Sequence, residues 1–142
     1  MLLVPTYVRP SCVEGVGVFA AQEIPAGTAI WRLDERFDRL IHQGEIADLP
    51  PSARQFIERY AYPYPHNPDL LVVELDNGRF MNHSQEPNTN FLDPDSGYTR
   101  RTIAADEELF CNYAEFDPGF AMLPGRVYGE ALALGQGLGL RP

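Results

Sequence analysis

Apolar and polar positions along the chain alternate in short bursts rather than long helical stripes, which predicts a protein built mostly of short strands. Residues 4–8, 17–20 and 28–33 are brief runs rich in β-forming side chains, each bounded by Gly, Pro or Ser. Between the second and third, Ile24-Pro25-Ala26-Gly27 predicts a tight turn, because proline presets one dihedral and glycine accepts positive φ. The spacing predicts one good helix over residues 51–62, where Ala53, Phe56, Ile57 and Tyr60 recur three and four apart and a proline suits the first turn. Pro63 and Pro65 stop it and pass the chain into an extended or turned connection. Residues 70–75 then read as a buried strand, and Asp76-Asn77-Gly78 predicts a hairpin with residues 79–81 returning antiparallel. Further strands are expected at 89–92, 98–103 and 109–113, the first two joined by a turn over 93–97. From Phe120 onward the glycines oppose a long helix.

A length of 142 residues fits one compact domain. The longest apolar runs, 70–73 and 131–134, fall far short of the roughly 20 residues a bilayer requires, so neither a membrane span nor a secretory leader is expected. Cys12 and Cys111 are too few and too far apart for a disulfide framework, and His42, His66 and His83 share no metal-ligand spacing, so no metal is expected. An intracellular, cytoplasmic setting is expected, with the nucleus as an alternative. The net charge of -9 would repel phosphate backbones, which argues against direct nucleic-acid binding and favours cationic partners. All eleven basic residues are arginine; the chain contains no lysine.

Three stretches carry polar chemistry. Glu14-Gly15-Val16-Gly17-Val18-Phe19-Ala20 sets two glycines before a β-run, either as a simple turn or as backbone that a ligand approaches closely. In the stretch 79–88, Asn82 taken alone reads as a turn cap and His83 as a structural histidine. In the stretch 106–116, an acidic turn precedes a strand whose Tyr113 packs its ring inward. Glu107 and Glu108 face opposite ways on a strand, so they do not make a paired acid–base site.

Taken in this order, the stretches resemble the SET-domain family of protein lysine methyltransferases over roughly residues 4–116. The likeness lies in Gly15-Val16-Gly17 with the following Val18-Phe19-Ala20 and the 24–27 turn, in Asn82-His83-Ser84 with Pro87-Asn88, and in Glu107-Glu108-Leu109 with Asn112-Tyr113. It implies a mostly β fold with short helices, a β-clip-like SET domain of small curved sheets over 1–119 in which the Asn82 segment threads a C-terminal pseudoknot. The tail over 120–142 would be either a frayed end or a docked segment that completes the lysine channel. The resemblance further implies S-adenosylmethionine-dependent methyl transfer to a lysine amine of a basic protein. Gly15, Val16 and Gly17 would offer backbone contacts to the cofactor, Asn82 and His83 would hold its amino-acid and adenine parts, and Tyr113 would be the catalytic phenol. In-line displacement at a sulfonium needs positioning and a neutral amine rather than a covalent nucleophile.

Departures from the family pattern shape the expectations. Gln85 stands where the motif has cysteine, and no cysteine cluster follows Tyr113, so channel closure falls to Phe116, Phe120 or Tyr128. Cys111, two residues before Tyr113, occupies the product-specificity position and leaves the number of methyl groups open. Asn112 replaces Asp, and Asp106 replaces Gly. Two other classes compete: a catalytically silent SET-like module binding a basic partner, and a small β enzyme using His66, His83 and nearby carboxylates for metal or carbohydrate chemistry. A homodimer is neither required nor excluded by these patterns.

Overall fold

The computed structural model describes residues 1–117, 119 and 120. Among them the strands are Thr6–Pro10 (β1), Val16–Ala20 (β2), Ala29–Arg32 (β3), Arg39–His42 (β4), Tyr62–Tyr64 (β5), Asn67–Val73 (β6), Asn82–His83 (β7), Thr89–Asp93 (β8), Ser96–Thr99 (β9) and Glu108–Cys111 (β10). One α-helix, α1, spans Pro51–Tyr60, and 3-10 turns cover Gln43–Asp48, Asn77–Phe80 and Tyr113–Glu115. The strands assemble into three small sheets ordered β1-β2-β10-β7, β3-β9-β8 and β4-β6-β5. Mostly β with short helices, the architecture is the one the sequence pattern predicts.

The first sheet positions the site. β2 pairs antiparallel with β1, Val8 opposite Val18, and with β10, Leu109 opposite Val18. The other edge of β10 takes β7 in parallel, with Phe110 opposite Asn82 and Cys111 opposite His83. Segments far apart in the chain therefore end side by side. Val18, Ala20, Ile30, Ile103 and Leu109 are fully buried, and Trp31 meets Phe91 edge-on at 5.8 Å within the same core. The 24–27 turn forms as expected, with Gly27 at φ +75° and the backbones of Ile24 and Ile103 exchanging bonds of 2.8 and 2.9 Å.

Several expectations are corrected. The hairpin at 76–78 does not form. β6 already lies between β4 and β5, so it has no free edge for a returning strand. Asp76 instead accepts the Gly78 N–H at 2.8 Å, winding residues 77–80 into a 3-10 turn that leads to β7. The helix stops at Tyr60 rather than 62, because Pro63 disfavours helical φ/ψ at Tyr62 and Ala61 is already extended. Of its predicted apolar face only Ile57 is buried, while Phe56 remains exposed. The strand expected over 98–103 ends at Thr99, and Ile103 pairs again only as an isolated bridge to Ile24. β4 had no counterpart among the predicted strands. β5 holds Pro63 at a sheet edge, where a missing N–H costs no ladder bond.

Candidate active site

Gly17 shows how the first and third motifs interlock. A Cβ built on it would lie 2.0 Å from Oε1 of Glu108, so the space a side chain would need is already filled by that carboxylate. Glu108 is buried, accepts the Ser11 hydroxyl at 2.9 Å, and accepts the Asn82 amide at 2.9 Å. The same Asn82 Nδ2 reaches the carbonyls of Val16 at 3.2 Å and Glu14 at 3.4 Å. At Gly17 the close approach is made by Glu108 from within the fold. Gly15 differs: it adopts φ +52° and no atom lies within 4 Å of where its Cβ would be, so that side of the loop is open, while its carbonyl accepts the Ser11 N–H at 3.1 Å.

This loop walls a groove of about 230 Å³, lined also by Glu14, Phe80, Asn82 and His83. A larger cavity of about 370 Å³ lies against Trp31, Tyr62, Glu74, Phe91, Cys111 and Phe116. Arg59, Tyr60, Arg79, Met81 and Tyr113 border both spaces. The Tyr113 hydroxyl donates to the Met81 carbonyl at 2.8 Å, so the phenol oxygen is fixed on that shared wall. Its backbone N–H donates to Nδ1 of His83 at 3.2 Å, and its ring meets those of His83 and Phe120 at 5.2 Å each. His83 is buried, which pulls its pKa below the usual 6.5 and keeps the acceptor nitrogen free of a proton.

Other motif residues act as braces. Asn88, 2% exposed, donates to the Glu108 carbonyl at 2.7 Å and accepts the Phe110 N–H at 2.8 Å, clamping β10 along its length. Asn112 caps the turn that carries Tyr113 by accepting the Ala114 N–H at 3.1 Å, a task an aspartate performs equally. Asp106 takes φ +65°, a left-handed position that explains why glycine suits the motif there, and it accepts the Tyr7 hydroxyl at 2.6 Å.

Val16, Asn82, His83 and Tyr113 line the groove together, whereas Gly15 and Gly17 are absent from its lining and Gly17 is packed against Glu108. Cys111 lines the larger cavity, with its thiol pKa pushed well above the usual range by burial. Phe116 and Phe120 line it too; Tyr128 lies outside the described residues. His66 stands apart, exposed and 3.2 Å from Asp95. Among the described residues no three His, Cys, Asp or Glu side chains gather as a metal site, and no helix is long and apolar enough to cross a membrane.

Glu74, Glu108 and Tyr62 also shape the site, and the motifs assign none of them a role there. Glu108 stood in view, but its inward direction depends on β10 pairing with both β2 and β7. Glu74 carried a signal, a lone acid inside an apolar strand run.

The family model described as SET domain matches residues 15–114, most of the chain. The chain is a SET-domain protein. Solved structures agree at the level of fold. One, a Plasmodium falciparum protein assigned as a histone methyltransferase, has a TM-score of 0.56 and 21% identity, with 79% of this chain and 95% of that one covered. Another, the polycomb repressive complex 2 of Chaetomium thermophilum, has a TM-score of 0.61 and 20% identity over 88% of this chain. This SET domain spans only 16% of that much longer chain. No curated protein sequence matches.

Proposed function

We propose that this SET-domain protein transfers a methyl group from S-adenosylmethionine to the side-chain amine of lysine in a basic protein. The observation that carries the reading is Tyr113, whose hydroxyl is held by Met81 on the wall shared by the groove and the larger cavity. A donor in one space and an acceptor in the other meet at that wall.

The groove suits the cofactor. The loop around Gly15 has an open side, Glu14 and Arg79 offer both signs of charge for an amino-acid zwitterion, and Phe80 offers a flat apolar face for a purine. Asn82 holds the loop in shape, and His83 fixes Tyr113 from below. Bound there, the cofactor supplies an electrophilic methyl on a sulfonium. The protein's own task is orientation and exclusion of water, which alone can account for a large part of such a rate enhancement. The Tyr113 oxygen and the Met81 carbonyl direct the amine. The aromatic walls at Trp31, Phe91 and Phe116 strip water from it, which lowers the amine pKa toward the neutral form needed for attack.

The acceptor's chemistry follows from charge: a chain carrying -9 attracts a basic protein, and a chain without lysine offers no internal side-chain amine to compete. Calorimetry with S-adenosylmethionine and its demethylated product, followed by mass spectrometry of basic proteins incubated with labelled cofactor, tests the reading. Binding together with labelled lysine is expected. Absence of cofactor binding would overturn it.

A further inference from the structure

Glu74 follows directly on β6 and is 7% exposed, yet it lines the larger cavity rather than a surface. One carboxyl oxygen, Oε1, accepts the Tyr62 hydroxyl at 3.0 Å. The other, Oε2, has no hydrogen-bond partner among the described residues. Its place is fixed by Gly78, where a Cβ would fall 1.7 Å from Oε2, so the missing side chain there makes the carboxylate's seat. Around it the cavity is walled by Trp31, Met81, Phe91, Cys111, Tyr113 and Phe116.

Such a group is costly unless something completes it, because a buried carboxylate oxygen without a donor loses its hydration and gains nothing in return. We propose that Glu74 is the inner cation subsite of this cavity and that Oε2 receives the primary ammonium of the acceptor side chain. An ammonium brings three donors and a positive charge to a lone acceptor as the side chain enters, and the amine attacks only after releasing one of those protons to water, as the dry walls lower its pKa.

Burial raises the Glu74 pKa to about 7; the Met1 amino group and the Tyr62 hydroxyl pull it down, while Asp76 and Asp38 push it up. The Cys111 thiol facing the same space stays protonated. Near neutral pH the carboxyl is therefore poised between its two forms, and an arriving cation draws it to the ionised one. This subsite rests on the proposed methyl transfer for its biological acceptor, but not for its chemistry.

The test uses the full chain labelled with carboxyl-13C glutamate and titrated with n-butylammonium chloride, a lysine side-chain mimic, with n-butanol as the uncharged control. The Glu74 resonance, identified by its loss in Glu74→Gln, is expected to shift saturably with butylammonium, and its apparent pKa to fall by about one unit. Butanol is expected to leave it in place. No shift, or an equal response to butanol, overturns the subsite. If Glu74→Gln fails to fold, Glu74→Asp supplies the assignment, because the unlabelled aspartate removes the same resonance. In methyl transfer to a lysine peptide, Glu74→Gln is expected to raise KM about tenfold or more and to lower kcat far less, the scale of one lost charged hydrogen bond. The parent KM should rise as the pH falls through about 7, and the variant KM should not. A parent that binds butylammonium at Glu74 but methylates no lysine refutes the proposed function alone. A parent that methylates lysine with a KM unchanged in the variant refutes the subsite alone.

Discussion

The Nδ1 atom of His83 accepts the backbone N–H of Tyr113 at 3.2 Å, so a side chain on β7 sets the starting point of the turn that carries the phenol. Parallel pairing of β7 with β10 makes this contact available, since it aligns Cys111 with His83. The relationship has a consequence for stability.

Replacing His83 by Phe keeps a ring against Tyr113 and Phe120 but removes the acceptor. The expected loss is about 1 to 3 kcal/mol in urea denaturation, the cost of stranding a partly buried N–H. A pH effect accompanies it. Burial lowers the folded-state pKa of His83 below the usual 6.5, so the unfolded chain takes up a proton first and the histidine's contribution declines as the pH drops from about 6.5. His83→Phe should lack that component, visible as a flatter stability profile on the acid side.

For Tyr113→Phe the expected outcome is split. The ring contacts to His83 and Phe120 persist, so calorimetric affinity for S-adenosylmethionine should stay close to the parent's. Loss of the oxygen held by Met81 should cut methyl transfer by about a hundredfold, in the range found when one oriented transition-state contact is removed. Equal turnover in the two proteins would remove Tyr113 from the chemistry.

How much of this was legible in the chain depends on range. Gly15, Asn82, His83 and Tyr113 stood out as a candidate site only through the resemblance to the SET-domain family, since Asn82 taken alone reads as a turn cap and His83 as a structural histidine. The turn at 24–27 was readable locally, from its proline and glycine. The hairpin at 76–78 was misread because local turn chemistry says nothing of whether β6 still has a free edge, and both edges are taken by β4 and β5. Glu108 shows the same limit: its partners Ser11 and Asn82 lie 97 and 26 residues away, so its inward role has no local signature. Even the reason for glycine at 17 is long-range, since the atom that forbids a side chain belongs to Glu108.

That steric link gives a double-mutant cycle. Gly17→Ala must push the Glu108 carboxylate off the Asn82 amide and Ser11 hydroxyl, and should cost about 1 to 3 kcal/mol by overpacking. With Glu108→Ala already present, the clash is gone. The double variant should therefore be more stable than the two single losses summed, by about 1 kcal/mol or more. Strict additivity in urea denaturation would mean that the two sites do not touch.

Glu74 offers a prediction about folding that is separate from any ligand. Its folded pKa of about 7 lies above the ordinary 4.5, with burial as the main cause, so the native state holds a proton that the unfolded chain has already released. The stabilising contribution of the neutral carboxyl is complete below about 4.5 and is lost as the pH rises through about 7. Glutamine keeps the shape and does not titrate. The stability of Glu74→Gln relative to the parent should therefore increase between about pH 5 and about pH 8, by on the order of 2 to 3 kcal/mol. Whatever fixed cost the amide brings cancels in that difference. Urea denaturation at the two pH values measures it, and a gap that does not change with pH would place the Glu74 carboxyl in contact with water.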